Sequence, residues 1–379
     1  MPIYKINSKR DGLQGYNVRI NYVSDSGIKK QLTRTVYGAE QAKDLERRLN
    51  SEIQQKEETS TKRMTVQQLF DEYMRIKEPE VKETTIAKNK SNFDYYILPT
   101  FKNIRIDRIS AIMLQKWKLS MEEKGLSLNT KKQAFSDFRA MFNYAVRLEY
   151  LPKNPISKMG NFKDTKIIKE DMNYYTAQEF SKFINAAKAI AEEQRTKINN
   201  LSEWDFYVLF SIAFYTGLRK GEIYALKWSD INGDYLSVKR SVTQRLKGGD
   251  RETPPKNIAS IRTLQMPLPL INILKEHKKR QMTLHNFTDN YRICGGERSV
   301  RDSTVQRRNE KYAQAAELKV IRIHDFRHSH VSVLANERIN IQEVSRRLGH
   351  SRIEMTWNTY SHLYPREEER AISILNNIV

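Results

Sequence analysis

The sequence predicts a multi-domain protein, mainly α-helical with small β-sheets. Three observations carry this. The chain has 379 residues, more than one compact core ordinarily holds, so two or three domains are expected. Apolar residues recur mostly at helical spacing, and strand-like patterning is confined to residues 3–36 and 235–266. Polar stretches, KEETSTKR and the Lys-rich residues 160–171, read as connectors between blocks.

In the first block Tyr16, Val18, Ile20 and Tyr22 alternate with Asn17, Arg19 and Asn21, a strand period with one face inward. Asp11-Gly12 and Ser26-Gly27 supply turns on either side, giving a three-stranded sheet. Arg19, Lys29, Lys30 and Arg34 are expected to present one basic face. Residues 39–58 follow as a helix, with Leu45, Leu49 and Ile53 on a stripe. The expected domain spans 1–60.

The second block, 64–160, reads as four helices. Thr65 suits an N-cap, and Val66, Leu69, Phe70, Tyr73 and Met74 follow at helical spacing. A second helix over 84–98 should stop before Pro99, since proline disfavours helix in the residue before it. A third covers 111–124 and ends at Gly125. The fourth begins near Thr130 and carries Phe135, Phe138, Phe142 and Ala145, which read as core. The third block, 173–379, is mixed α/β: helices, then strands with a turn at Gly248-Gly249, then helices again.

Charge narrows the function. Lys and Arg number 66 against 45 Asp and Glu, a formal charge of +21, which points to a polyanionic partner and to nucleic acid before a membrane surface. The single cysteine, Cys294, excludes an internal disulfide framework and a Cys-rich zinc site, and fits a reducing compartment. The start, MPIYKINSKR, has no apolar core of a signal peptide, and no stretch approaches the roughly 18 apolar residues of a membrane span. A cytoplasmic protein is expected.

Four clusters carry residues suited to chemistry. In FYTGLRKGEIYALKW, Gly217 suits a turn that presents Arg219 just before a helix, with Glu222 one turn on to hold the guanidinium. Alone, that pair reads as an ordinary surface ion pair. In IHDFRHSHVSVL, His324 and Arg327 are three apart and share a helix face, a combination suited to a phosphate-like anion. A zinc site on His324, His328 and His330 lacks a fourth ligand at workable spacing. The stretch IQEVSRRLGHSRIEMTWNTY has the pattern of a helix-turn-helix, with Val344 and Leu348 inward and Gly349 at the turn, and alone would suit a DNA-reading helix. In PPKNIASIRTLQMP, Lys256 sits where a hairpin reaches outward, which in so basic a chain means little by itself.

The order of these clusters is informative. Gly217-Leu218-Arg219-Lys220-Gly221-Glu222, His324-x-x-Arg327, Leu348-Gly349-His350 and Tyr360 together resemble the tyrosine recombinase (phage integrase) family, over residues 64–364. Pro255-Lys256 with Ser260-x-Arg262-Thr263 resembles the family's lysine-bearing hairpin, although Lys239 and Lys247 keep that assignment open. The first block resembles the arm-site-binding domain of integrases from temperate phages and conjugative transposons, and the second, ending in Lys153-Asn154-Pro155, the core-site-binding domain.

The resemblance implies a third domain of the tyrosine recombinase type. Its chemistry needs no cofactor or metal: Tyr360 attacks DNA to give a 3′-phosphotyrosyl bond, Arg219, Arg327 and His350 donate to the phosphate, His324 accepts the tyrosine proton, and Lys256 protonates the leaving oxygen. Its partners would be double-stranded attachment sites and three further copies of the chain in a tetramer on DNA. An excisionase or a host DNA-bending protein is an accessory left open. Alternatives are a chromosome-dimer resolvase, a type IB topoisomerase, or a regulator that kept the fold and lost the chemistry. The N-terminal sheet argues against the first two, and the complete residue set against the third.

Overall fold

The computed structural model describes residues 3–10, 12–23, 29–58, 64–163, 172–198, 202–244, 249–253, 260–364 and 368–378. The chain forms two compact units, residues 1–167 and 168–379.

The first unit opens with strands β1 (Ile3–Arg10), β2 (Leu13–Val23) and β3 (Lys29–Tyr37), an antiparallel sheet in that order, followed by helix α1 (Ala39–Glu58). Val18 and Ile20 are buried with Ala42 of α1, and Leu45 and Leu49 pack against them. The register corrects the expected basic face. Val18 pairs with Arg34 and Arg19 with Thr33. Directly opposed residues share a face and successive residues alternate, so Arg34 lies on the Val18 side and Arg19 on the other. Both are exposed, and Arg19 lies 5.0 Å over the ring of Tyr4. Lys29 and Lys30 start β3, but their side chains fall outside the described residues.

A separate cluster in the same unit is built by α2 (Val66–Lys77), α3 (Glu83–Asn92), α4 (Leu98–Phe101), α5 (Ala111–Glu123) and α6 (Leu128–Arg147). Thr65 caps α2 through a reciprocal box: its hydroxyl accepts from the Gln68 amide at 3.3 Å, and Gln68 Oε1 accepts from the Thr65 amide at 2.9 Å. The aromatic residues form the core as expected, with Phe138 5.0 Å from Phe101 and 5.6 Å from Trp117. The helix expected to stop before Pro99 does not. A π-helical turn, Phe93–Ile97, leads into α4, and Pro99 sits in its first turn, where a missing N–H costs nothing. The last helix starts at Leu128, earlier than expected, because Ser127 provides the cap.

The second unit runs α7 (Ala177–Ile198), α8 (Ser202–Thr216), α9 (Lys220–Ala225), then β4 (Ile231–Asn232), β5 (Tyr235–Val238), β6 (Ser241–Thr243), β7 (Arg251–Thr253) and β8 (Arg262–Gln265). Helices α10 (Leu268–Gln281), α11 (Asp302–Ala315), α12 (Asp325–Asn336), α13 (Ile341–Leu348), α14 (Ile353–Tyr360) and α15 (Glu368–Asn376) follow. β4, β5 and β8 form one antiparallel sheet, and β6 and β7 pair across the segment holding Gly249. Beyond its first turn helix α8 carries apolar residues on all sides, because α7, α10 and α12 surround it. Phe180 stacks on Phe214 at 3.6 Å, and Phe210 and Phe326 lie 5.1 Å apart. This packing fixes two helix starts, those of α9 and α12, on which the polar residues below depend.

α15 has no buried residue: Ile372 is 52% exposed, Ile374 57% and Leu375 59%. Its apolar residues are not docked on the rest of the second unit.

Candidate active site

Gly217 ends α8 with a positive φ of +64°, and a Cβ there would stand 2.7 Å from the His330 ring. Only glycine satisfies both constraints. The turn buries Leu218 and makes Arg219 the N-cap of α9. Glu222, in the first turn of α9, is 5% exposed and accepts from the Arg219 amide at 3.0 Å and from Arg219 Nη1 at 2.9 Å. Arg262 of β8 donates to the same carboxylate at 2.9 Å and to the Arg347 carbonyl at 2.7 Å. Burial acts to raise the Glu222 pKa, but Arg262 and Arg219 more than offset it and hold the group below the usual carboxylate range. What looked like a surface pair is a buried, doubly braced carboxylate that aims Arg219.

Arg327 enters from the first turn of α12 and is 2% exposed. It donates to the Gly217 carbonyl, to the Leu348 carbonyl and to His350 Nε2, each at 2.8 Å. One guanidinium thus ties the end of α8 to the α13–α14 turn. Burial, then the nearby Arg219, lowers its pKa to about 10, which still leaves it charged at neutral pH.

The α13–α14 pair has the helix-turn-helix form anticipated: Val344 and Leu348 are buried and Gly349 is left-handed. The Gly349 carbonyl accepts from Arg219 at 3.3 Å, and a Cβ on Gly349 would meet Arg262 at 2.8 Å. The turn is a clamp for arginines. His350 Nδ1 lies 2.8 Å from the Thr356 hydroxyl. Because arginine only donates, His350 Nε2 is an acceptor and the ring proton sits on Nδ1. Burial, then Arg327, lowers the His350 pKa to about 4, so the ring is neutral at physiological pH. Here His350 aims Arg327, where a donor to phosphate was expected.

Tyr360 is the last residue of α14 and is 2% exposed, its ring packed with Val331, Val344 and Leu348. Burial raises its pKa, and Arg327 and Arg219 pull against that rise. The hydroxyl lies 2.8 Å from Nδ1 of His328. This departs from the expectation that His324 takes the tyrosine proton. His324 is the N-cap residue of α12 and exposed, while His328, one turn further, reaches the phenol. In the sequence His328 stands out only as a zinc ligand. Its helical spacing from His324 was the available signal. The three histidines do not converge: His330 Nδ1 donates to the Phe214 carbonyl at 2.8 Å, and no cluster suited to a metal occurs among the described residues.

Arg219, His324, Arg327, His328, His350 and Tyr360 line one open cavity of about 410 Å³, enough for a phosphate group and its flanking sugar atoms. Lys256 and Lys247 lie outside the described residues. Lys239 pairs with Asp230 at 3.8 Å and is 54% exposed.

Residues 173–367 match the model of the phage integrase family, and residues 65–121 that of the phage integrase N-terminal SAM-like domain. The chain belongs to the phage integrase family. This tyrosine recombinase is 27% identical to the ICEBs1 integrase of Bacillus subtilis (strain 168) over 347 residues, covering 89% of this chain and 90% of the relative. It is 29% identical over 322 residues to a tyrosine recombinase XerC-like protein of Caldanaerobacter subterraneus, covering 78% of each. In fold the recombinase resembles the Tn1549 transposon integrase solved with transposon right end DNA, at a TM-score of 0.67 and 21% identity, over 83% of this chain and all of that one. It also resembles lambda integrase solved as a tetramer bound to a Holliday junction, at a TM-score of 0.57 and 18% identity, over 96% and 95% of the two chains. The recombinase is a site-specific enzyme of integration and excision.

Proposed function

We propose that Tyr360 is the nucleophile with which this recombinase cuts and rejoins the attachment sites of a mobile element. The observation that carries the reading is the placement of the Tyr360 hydroxyl in one cavity with Arg219, Arg327 and His350. A phosphodiester carries one negative charge, and more builds up in its five-coordinate transition state. Arg219 and Arg327 each carry five N–H donors, more than the two and three side-chain bonds described above use, which leaves donors for the non-bridging oxygens. Each well-placed donor of this kind is worth about 10²–10³ in rate. Glu222, Arg262 and His350 hold the two guanidinia before substrate arrives, so little reorganisation is paid during the reaction.

A free phenol ionises near pKa ~10, so only about one in a thousand is ionised at pH 7. A proton acceptor is therefore needed at Tyr360. The leaving 5′-oxygen needs a proton in turn, and Lys256 is its donor in this reading. The phosphotyrosine conserves the energy of the cut ester, so a second 5′-hydroxyl can rejoin the strand without ATP. A substrate nicked just beyond the cut site tests the reading. The free fragment diffuses away and traps the adduct, which a denaturing gel resolves; a protein that only binds DNA leaves none.

The remaining parts fit an assembly on DNA. Residues 64–160 would grip the crossover site and residues 1–60 a second class of site, the many Lys and Arg contacting phosphate and a few side chains reading bases. Deleting residues 1–60 should leave crossover-site binding intact and abolish binding to the second class, as gel shifts on separate duplexes would measure. Equal loss at both would make the segment part of the core fold.

The exposed stripe of α15 suits a partner copy in a tetramer on DNA, because a helix of this length is marginal without a surface to dock on. Exchange from copy to copy closes a ring. Truncation after Arg370 should weaken tetramer formation on DNA and recombination more than single-site binding, measurable by analytical ultracentrifugation of DNA-bound complexes. Unchanged tetramers would rule the exchange out.

A further inference from the structure

Helix α12 sets His328 and Arg327 against the Tyr360 hydroxyl, with Asp325 and His324 beside His328. His328 Nδ1 is 2.8 Å from it, and the two rings are 5.5 Å apart. His328 Nε2 faces Asp325 Oδ1 at 3.9 Å. Asp325 is 1% exposed and pinned by three bonds from Arg322, from its amide at 2.9 Å, Nε at 3.0 Å and Nη2 at 2.9 Å. The His324 ring meets His328 edge-on at 5.2 Å, and among the described residues no hydrogen bond joins His324 to Tyr360.

Asp325 lies behind His328 at 3.9 Å, beyond hydrogen-bond reach, as a buried negative charge on the far side of an imidazole whose other nitrogen meets the nucleophile. For Tyr360 to donate to Nδ1, the His328 proton must sit on Nε2, the side facing Asp325. Burial, then the adjoining His324, lowers the His328 pKa to about 4, so its Nδ1 lone pair is free at neutral pH. Charges on every side bear on it: Arg322 and Arg327 oppose protonation, while Asp325 favours it. A DNA phosphate entering the cavity would add a negative charge and raise the proton affinity of the ring. Proton removal from Tyr360 would then follow substrate binding and not precede it.

We propose that His328 is the proton acceptor that activates Tyr360. This rests on Tyr360 being the nucleophile. As the phenolic O–H bond breaks, the proton passes to His328 Nδ1 and Oη attacks phosphorus. The bond from phosphorus to the 5′-oxygen breaks, and that oxygen takes a proton from the general acid. On rejoining, the incoming 5′-oxygen bonds to phosphorus and gives its proton back to the deprotonated general acid as the phosphotyrosine bond breaks, and His328 returns its proton to Oη. His324, on the open side of the cavity, is left to contact the phosphate.

The test separates proton transfer from mere packing. Full-length protein is made with either tyrosine or 3,5-difluorotyrosine at position 360, the latter a phenol that ionises near neutral pH without help. Adduct formation on the nicked substrate is timed for His328→Ala, His328→Asn and His324→Ala in both backgrounds. A general base contributes about 10²–10⁴ in rate. With tyrosine, both His328 variants should slow the reaction at least about 100-fold, and with difluorotyrosine by less than about tenfold. Crossover-site binding reports folding, and His328→Asn, a polar side chain that cannot take the proton, stands in if His328→Ala fails to bind. Equal slowing in both backgrounds would overturn the role of His328, as would rescue of His324→Ala in its place. An adduct formed by Tyr360→Phe would instead overturn the underlying reading of the nucleophile.

Discussion

Tyr360→Phe should bind crossover-site DNA as tightly as the native recombinase and form no covalent adduct, a fall of at least roughly 10⁴ in cleavage, in the range seen when a nucleophile is removed. The phenyl ring keeps its packing on Val331, Val344 and Leu348, so the fold loses only what the hydroxyl makes, its hydrogen bond to His328 and its interaction with Arg327. Such a bond is worth about 1 kcal/mol. Binding and cleavage therefore separate cleanly in this variant. Gel shift and the nicked substrate measure the two. A competing phenol is Tyr364, whose hydroxyl is buried with no hydrogen-bond partner among the described residues. An adduct formed by Tyr360→Phe would move the assignment there.

The second large effect is expected at Lys256. Lys256→Ala should slow cleavage by about 10²–10⁴, the range of a general acid, and Lys247→Ala should barely change it. A 5′-bridging phosphorothiolate provides the test, because sulfur leaves without a proton. That substrate should restore Lys256→Ala to near the native rate. Failure to rescue would reject the general-acid role, and rescue of Lys247→Ala alone would transfer it.

Much of the site was legible because its parts are local. Gly217 before Arg219, and Glu222 one turn later, follow from turn and helix geometry within a single short segment. The same holds for Leu348-Gly349-His350, where a left-handed glycine ends a helix whose inward face is plain. What was not legible depends on contacts distant in sequence. Glu222 looked like an ordinary surface partner because Arg262, which buries and braces it, arrives from β8, 40 residues later. The donor expected of His350 became an acceptor because Arg327 points at it from α12. His328 and His324 share a helix face, and spacing alone cannot say which one the end of α14 will meet. In the N-terminal sheet, alternation identified β2, but the face of Arg34 is set by its pairing with Val18, and pairing registers are not written in one strand. Pro99 misled for a different reason: the rule about the residue before proline assumes a regular α-helix, and a π-helical turn precedes it here.

The most direct measurement is the site of the covalent bond. Native recombinase trapped on the nicked substrate is digested with nuclease and protease, and the peptide carrying the nucleotide remnant is sequenced by mass spectrometry. The expected remnant is a 3′-phosphate linked to the oxygen of Tyr360. A remnant on Tyr364 or on any other side chain, or a 5′-phosphate linkage, would contradict it.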